Sequence, residues 1–186
     1  MPNPSIPVRQ SADMKLDRYA RDAREWRNGA AINYAASKVL FATDDPFMLF
    51  PAATLGHHAL EMYLKCASIV SGMTVFNPAD SDKLDAGIVL KREDCAWGHD
   101  LVKLAKQLAE RNANLDLTAT LDFPRLVIKE PLTIQEGLAI FVPFFTELRY
   151  PQESKECDGL GKEHLWLLDA LVCELRHARF KWNQFP

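Results

Sequence analysis

The chain has 186 residues, 48% of them hydrophobic and 25% charged, with ten Phe and four Trp. A chain of that length buries roughly 70% of the surface its unfolded form exposes, so a packed core needs neither a disulfide nor a metal. A net charge of −3 and a pI near 6.0 exclude general coating of nucleic acid, though not a local basic patch.

Cys66, Cys95, Cys157 and Cys173 are scattered with no C-x-x-C pair, which argues against a zinc ribbon or a thioredoxin-type motif and for reduced thiols. No uncharged apolar run of about 18 residues occurs. Pro2, Pro4 and Pro7 stand where a signal peptide would be apolar, so the cytoplasm is the expected location.

Residues 1–11 carry three prolines and little apolar periodicity, and the expectation is a flexible arm ahead of a single helical domain over 12–186. From Ala12 to Ala42, Leu16, Tyr19, Ala20, Ala23, Trp26 and Ala30 recur at helical spacing. Asn28-Gly29 is expected to weaken the middle of that helix. Asp44-Asp45-Pro46 then announces a second helix to about Ser71, with Leu55, Ala59, Met62, Tyr63, Cys66, Ile69 and Val70 as its apolar stripe and Gly72 to end it.

Residues 73–97 form a long connection without sustained period. A third helix follows His99-Asp100, with Leu101, Leu104, Ala105 and Leu108 on one face. Leu115, Leu117, Ala119 and Leu121 alternate, which leaves a short strand or a frayed turn open for 112–131. Thr133-Ile134-Gln135-Glu136 has the form of a capping box and opens a helix through Leu148, kinked at Pro143. A last helix carries Leu165, Leu168, Val172 and Leu175. Amphipathic helices with no βαβ alternation point to an all-α fold, helix packed on helix, in which Leu64, Leu104, Phe141 and Leu168 belong to the core.

Few constellations suggest chemistry. His57, His58 and Glu61 share a helix, but H-E-x-x-H is absent and no third ligand stands nearby, so a polar helix face is the better reading and neither metal nor cofactor is expected. Arg18, Arg21, Arg24 and Arg27 spread over half a helix and are diluted by Asp17, Asp22 and Glu25, which favours a solvated, ion-paired face over a phosphate track. Gly159-Leu160-Gly161-Lys162 does not match a P-loop and reads as a flexible helix entrance. Without a G-x-S-x-G elbow, no hydrolase follows.

Three segments carry a further signal: Ala59-Leu60-Glu61-Met62-Tyr63-Leu64-Lys65-Cys66-Ala67, then Gly98-His99-Asp100-Leu101-Val102-Lys103-Leu104, then Phe145-Thr146-Glu147-Leu148-Arg149-Tyr150-Pro151. In this order they resemble the HEPN domain superfamily, over roughly residues 46–182. On local physics alone, Glu61 and Lys65 form an i, i+4 ion pair, His99 and Asp100 are expected as polar caps, and Arg149 suits a helix C-terminus that Pro151 closes.

The resemblance implies an antiparallel bundle of four to five helices, frequent homodimerisation, and one of two functional styles. One is a non-catalytic module engaging a nucleotide, nucleic acid, or a protein partner such as a nucleotidyltransferase. The other is a metal-independent ribonuclease of toxin or defence systems, marked by R-x4-6-H on a late helix. Here only Arg92 and His99 have such a spacing, and they fall in a connection and at a helix start. The non-catalytic module is therefore the leading expectation, with Glu61, Lys65, His99, Asp100, Arg149 and Tyr150 as candidate binding residues and the ribonuclease as the alternative. A helical scaffold without a small ligand is a third possibility.

Overall fold

The computed structural model describes residues 9–43, 45–73, 75, 95–146 and 160–177, with side chains from residue 23 onward except those of Thr146 and His177. Its helices are α1 (Arg9–Phe41), α2 (Pro46–Val70), α3 (Leu101–Arg111), α4 (Ile134–Phe141), α5 (Pro143–Thr146) and α6 (Lys162–His177). No helix among them is long and apolar enough to cross a membrane.

Local chemistry sets most boundaries. Asp45 caps α2 by accepting the Phe47 N–H at 2.9 Å, with Pro46 in the first turn where its missing donor costs nothing. At the other end Gly72, at φ +81°, lets the Gly72 and Met73 N–H groups fold back onto the Ile69 and Ser68 carbonyls, a Schellman closure. Asp100 caps α3 through the Lys103 N–H, and Thr133 and Glu136 form the reciprocal capping box of α4.

One expected boundary is corrected and three further expectations are made specific. α1 starts at Arg9, three residues ahead of Ala12, and residues 1–8 of the expected arm lie outside the described residues. It runs unbroken through Asn28-Gly29, because Gly29 is where α1 meets α2: a Cβ there would run into the Met62 thioether. The expected kink at Pro143 takes the form of a one-residue interruption: proline offers no N–H to continue the ladder, and Val142, still at helical dihedrals (φ −58°, ψ −46°), separates α4 from the four-residue α5. The stretch 112–131 is irregular chain, tied by the Leu121 N–H to the Leu132 carbonyl at 2.8 Å and by one isolated antiparallel bridge between Thr120 and Thr133.

α1 and α2 form an antiparallel pair, as Ser37 Oγ–Ala52 O, Gly29–Met62 and Cys66 Sγ–Ala23 O contacts run in opposite senses along the two helices. Across the other flank of α1, Tyr34 donates to Asp169 Oδ1 at 2.7 Å and Lys38 Nζ reaches Asp169 Oδ2 at 3.1 Å, tying α1 to α6. The main core joins Leu60 and Leu64 of α2, Leu101, Leu104 and Leu108 of α3, Leu138 and Phe141 of α4, and Leu167, Leu168 and Leu171 of α6. Leu64, Leu104, Phe141 and Leu168 are fully buried, as their helical spacing predicts.

α2 touches all five other helices. Surrounded in this way, it is exposed only at Pro46, Phe47, Met48 and Pro51 in its first turns. Leu55, Met62 and Val70 of the expected stripe are only half-buried, whereas His57, Glu61 and Lys65, on the face expected to be polar and solvated, are buried.

Candidate functional site

His57, Glu61 and Lys65 are spaced four residues apart and therefore follow one strip along α2. Glu61 is at its centre, 5% exposed. Lys65 Nζ donates to Glu61 Oε1 at 2.5 Å, so the ion pair expected from sequence forms, but inside the protein instead of on its surface. The ammonium also lies over two indoles, 5.2 Å from the Trp26 centroid on α1 and 5.7 Å from that of Trp97. A cation so desolvated needs both the carboxylate and the π faces.

The second carboxylate oxygen meets two imidazoles. His99 Nδ1 lies 2.9 Å from Glu61 Oε2, and His57 Nε2 lies 3.7 Å from the same oxygen, beyond hydrogen-bond length. His57 Nδ1 is 2.8 Å from the Phe141 carbonyl, which can only accept, so that nitrogen carries the proton. Its Nε2 is left buried without a hydrogen-bond partner. Phe145 of α5 closes the cluster, stacked on His99 at 4.1 Å and on His57 at 5.3 Å, with His58 edge-on at 5.6 Å.

Burial by itself would raise the Glu61 carboxyl. The hydrogen bonds from Lys65 and His99, together with the Lys65 charge, outweigh it and hold the group down at about 2; the 3.7 Å approach of His57, whose proton is on the Phe141 side, is too long to count as a further donor. Glu61 is thus an acceptor-only carboxylate, and His99 Nδ1 must be the donor in their bond.

The segment 95–100 delivers His99. Cys95 and Ala96 are buried anchors, Trp97 is 44% exposed, and Gly98 turns the chain at φ +109°, a region that disfavours side chains. His99, expected as a helix cap, leaves that task to Asp100 and swings onto Glu61. Glu61, Lys65 and His99 therefore converge as one cluster, while Asp100 is an exposed cap beside it. Arg149 and Tyr150, like Arg92, lie outside the described residues.

His57, grouped with Glu61 in the sequence but read as part of a polar helix face, belongs to the cluster, and Trp26, Trp97 and Phe145 join it unforeseen. The four-residue spacing of His57, Glu61 and Lys65 was a usable signal for the first; the aromatic residues come from other elements and carried none.

The remaining candidates do not build a site. Arg24 and Arg27 are exposed on α1, and the side chains of Arg18 and Arg21 lie outside the described residues. The Gly161 N–H, instead of facing outward to an anion, turns onto His164 Nδ1 at 3.3 Å. Cys66 is buried, which pushes its thiol up to about 12 and makes it a poor nucleophile. Among the described residues no group of three His, Cys, Asp or Glu side chains is arranged to hold a metal ion.

No protein-family model, curated protein or solved structure matches this chain.

Proposed function

We propose that this chain is a non-catalytic, HEPN-like helical binding module, an antiparallel bundle that works as a homodimer and holds a nucleotide at the face formed by Trp97, His99 and Phe145. The observation that carries this reading is the pairing of a half-exposed indole with a half-exposed imidazole, each braced from beneath by the same buried Glu61–Lys65 ion pair. Flat rings held rigid by packing and hydrogen bonds are what a nucleobase stacks on at little entropic cost. The placement of the A-x-E-x-x-L-K segment on the central helix and of G-H-D-L at a helix start beside it supports the HEPN-like reading.

Dimerisation is supported by Ile32 and Val39, two turns apart on one face of α1 and 69% and 66% exposed. Titrating the protein with adenosine monophosphate while following tryptophan emission tests the binding site. Saturable quenching that disappears in Trp97→Ala is expected. Emission unchanged by this and other mononucleotides, in protein shown to be folded, would sink the reading.

The ribonuclease alternative draws support from one contact. A carboxylate that fixes an imidazole by its Nδ1–H, leaving Nε2 outward, is how a general base is usually oriented. Labelled RNA incubated with wild-type protein, Arg92→Ala and His99→Ala separates the two readings. Intact RNA in all three is expected, and cleavage by the wild type that both variants lose would reverse the order.

A further inference from the structure

We propose that His99 makes this face selective for ligands that present a hydroxyl donor, which in a nucleotide means the ribose 2′- or 3′-hydroxyl; the inference rests on the nucleotide-binding reading above. It follows from counting protons on one ring. Glu61 can only accept, with Lys65 on Oε1 and His99 on Oε2, so the 2.9 Å contact fixes the His99 hydrogen on Nδ1.

A neutral imidazole has one N–H. With that hydrogen committed to Glu61, Nε2 holds a lone pair, and none of the described residues is hydrogen-bonded to it. The two ring nitrogens point in divergent directions. With Nδ1 aimed at a buried carboxylate, Nε2 is carried to the opposite edge of a ring that is 48% exposed.

The ring is also held against rotation. It stacks on Phe145 with 19° between the planes, so flipping it would sacrifice the Glu61 bond. A fixed outward lone pair accepts a hydrogen bond from a hydroxyl and repels a phosphate oxygen, which is itself an acceptor. The phosphate is therefore directed away from His99 and the sugar edge towards it, while the base lies on the outer face of Trp97, whose inner face covers the Lys65 ammonium.

A site built to receive a hydroxyl discriminates against an analogue that lacks it, because the acceptor is then desolvated without a partner. The test compares adenosine monophosphate with its 2′,3′-dideoxy analogue by tryptophan quenching at pH 8.5. Wild-type protein is expected to bind the ribonucleotide about three- to tenfold more tightly. His99→Phe, which retains a flat ring against Phe145 but no acceptor, is expected to bind both equally and about as tightly as wild type binds the dideoxy form.

Equal binding of the two nucleotides by wild-type protein overturns the inference and leaves the binding reading standing. Discrimination that persists in His99→Phe overturns the assignment to His99. Saturation by neither nucleotide overturns the binding reading and the inference together. The wild-type comparison decides the first and last of these even if the variant fails to fold.

Discussion

Two glutamates, Glu61 in α2 and Glu163 in the first turn of α6, are buried to nearly the same degree, 5% and 6% exposed. Their partners differ in kind. Glu163 accepts three consecutive backbone N–H groups, those of Leu126, Val127 and Ile128, at 2.9 to 3.0 Å. These donors cannot titrate or change rotamer, so Glu163 fastens the irregular segment before α4 to the end of α6. Glu61 instead collects an ammonium and an imidazole N–H, ionisable groups that reach the surface through His99, with the His57 ring 3.7 Å away. Equal loss of solvent contact by the same residue type, at depth for Glu61 and under the irregular segment for Glu163, therefore yields a candidate site in one place and a clamp in the other, according to whether the donors are ionisable or backbone.

The two carboxylates should diverge most when the Lys65 cation is removed. Lys65→Met is expected to destabilise the fold by about 3 to 5 kcal/mol, because it leaves Glu61 buried with its strongest partner gone. Urea denaturation at pH 7 measures it. A midpoint close to wild type would mean that the pair is not buried as described.

Acid should separate the two carboxylates next. The Glu61 carboxyl is depressed from an ordinary 4.5 to about 2, so its contribution is fully present above pH 4.5 and is lost as pH falls from there towards 2. That limb is worth about 3 kcal/mol. Glu163 is also lowered: burial raises it, and the three backbone donors more than reverse that, giving a contribution of the same sign. Stability profiles from pH 7 to 2 should therefore retain an acid limb in Glu61→Gln, shallower than that of wild type; a limb of undiminished depth would detach it from Glu61.

Breaking the clamp should have a smaller and local effect. Glu163→Gln keeps one acceptor oxygen and removes the charge, at a cost of about 1 to 3 kcal/mol. Hydrogen exchange should quicken at the Leu126, Val127 and Ile128 amides while the α2 amides stay protected. Uniform acceleration throughout the chain would show that the segment is not an independent unit.

The smallest effect on stability is expected at the exposed end of the Glu61 cluster. Trp97→Phe should shift stability by less than about 1 kcal/mol, since the indole is 44% exposed, yet it should weaken nucleotide binding. Loss of folding in this variant, seen as collapse of the helical circular dichroism signal, would make Trp97 a structural lid.

Helix boundaries and near-neighbour pairs are written into local spacing. Asp45-Pro46, Gly72, Asp100 and the Thr133/Glu136 box each satisfy backbone groups within a few residues, and the Glu61–Lys65 pair spans one helical turn, so spacing alone reveals them. The helical stripes of α3 and α6 were legible for a related reason: each has one buried face, and periodicity reports one face. Packing between helices supplied the rest. Beyond its exposed first turns α2 is covered by the other helices, so the spacing that makes His57, Glu61 and Lys65 read as a polar face is the same spacing that lines them up inside. The His99–Glu61 bond joins residues 38 apart in the chain, the Glu163 clamp reaches back 35 to 37, and Trp26, Trp97 and Phe145 arrive from three separate elements. Such contacts depend on how helices pack and where a turn such as Gly98 aims the chain, neither of which is encoded in the spacing of neighbouring residues.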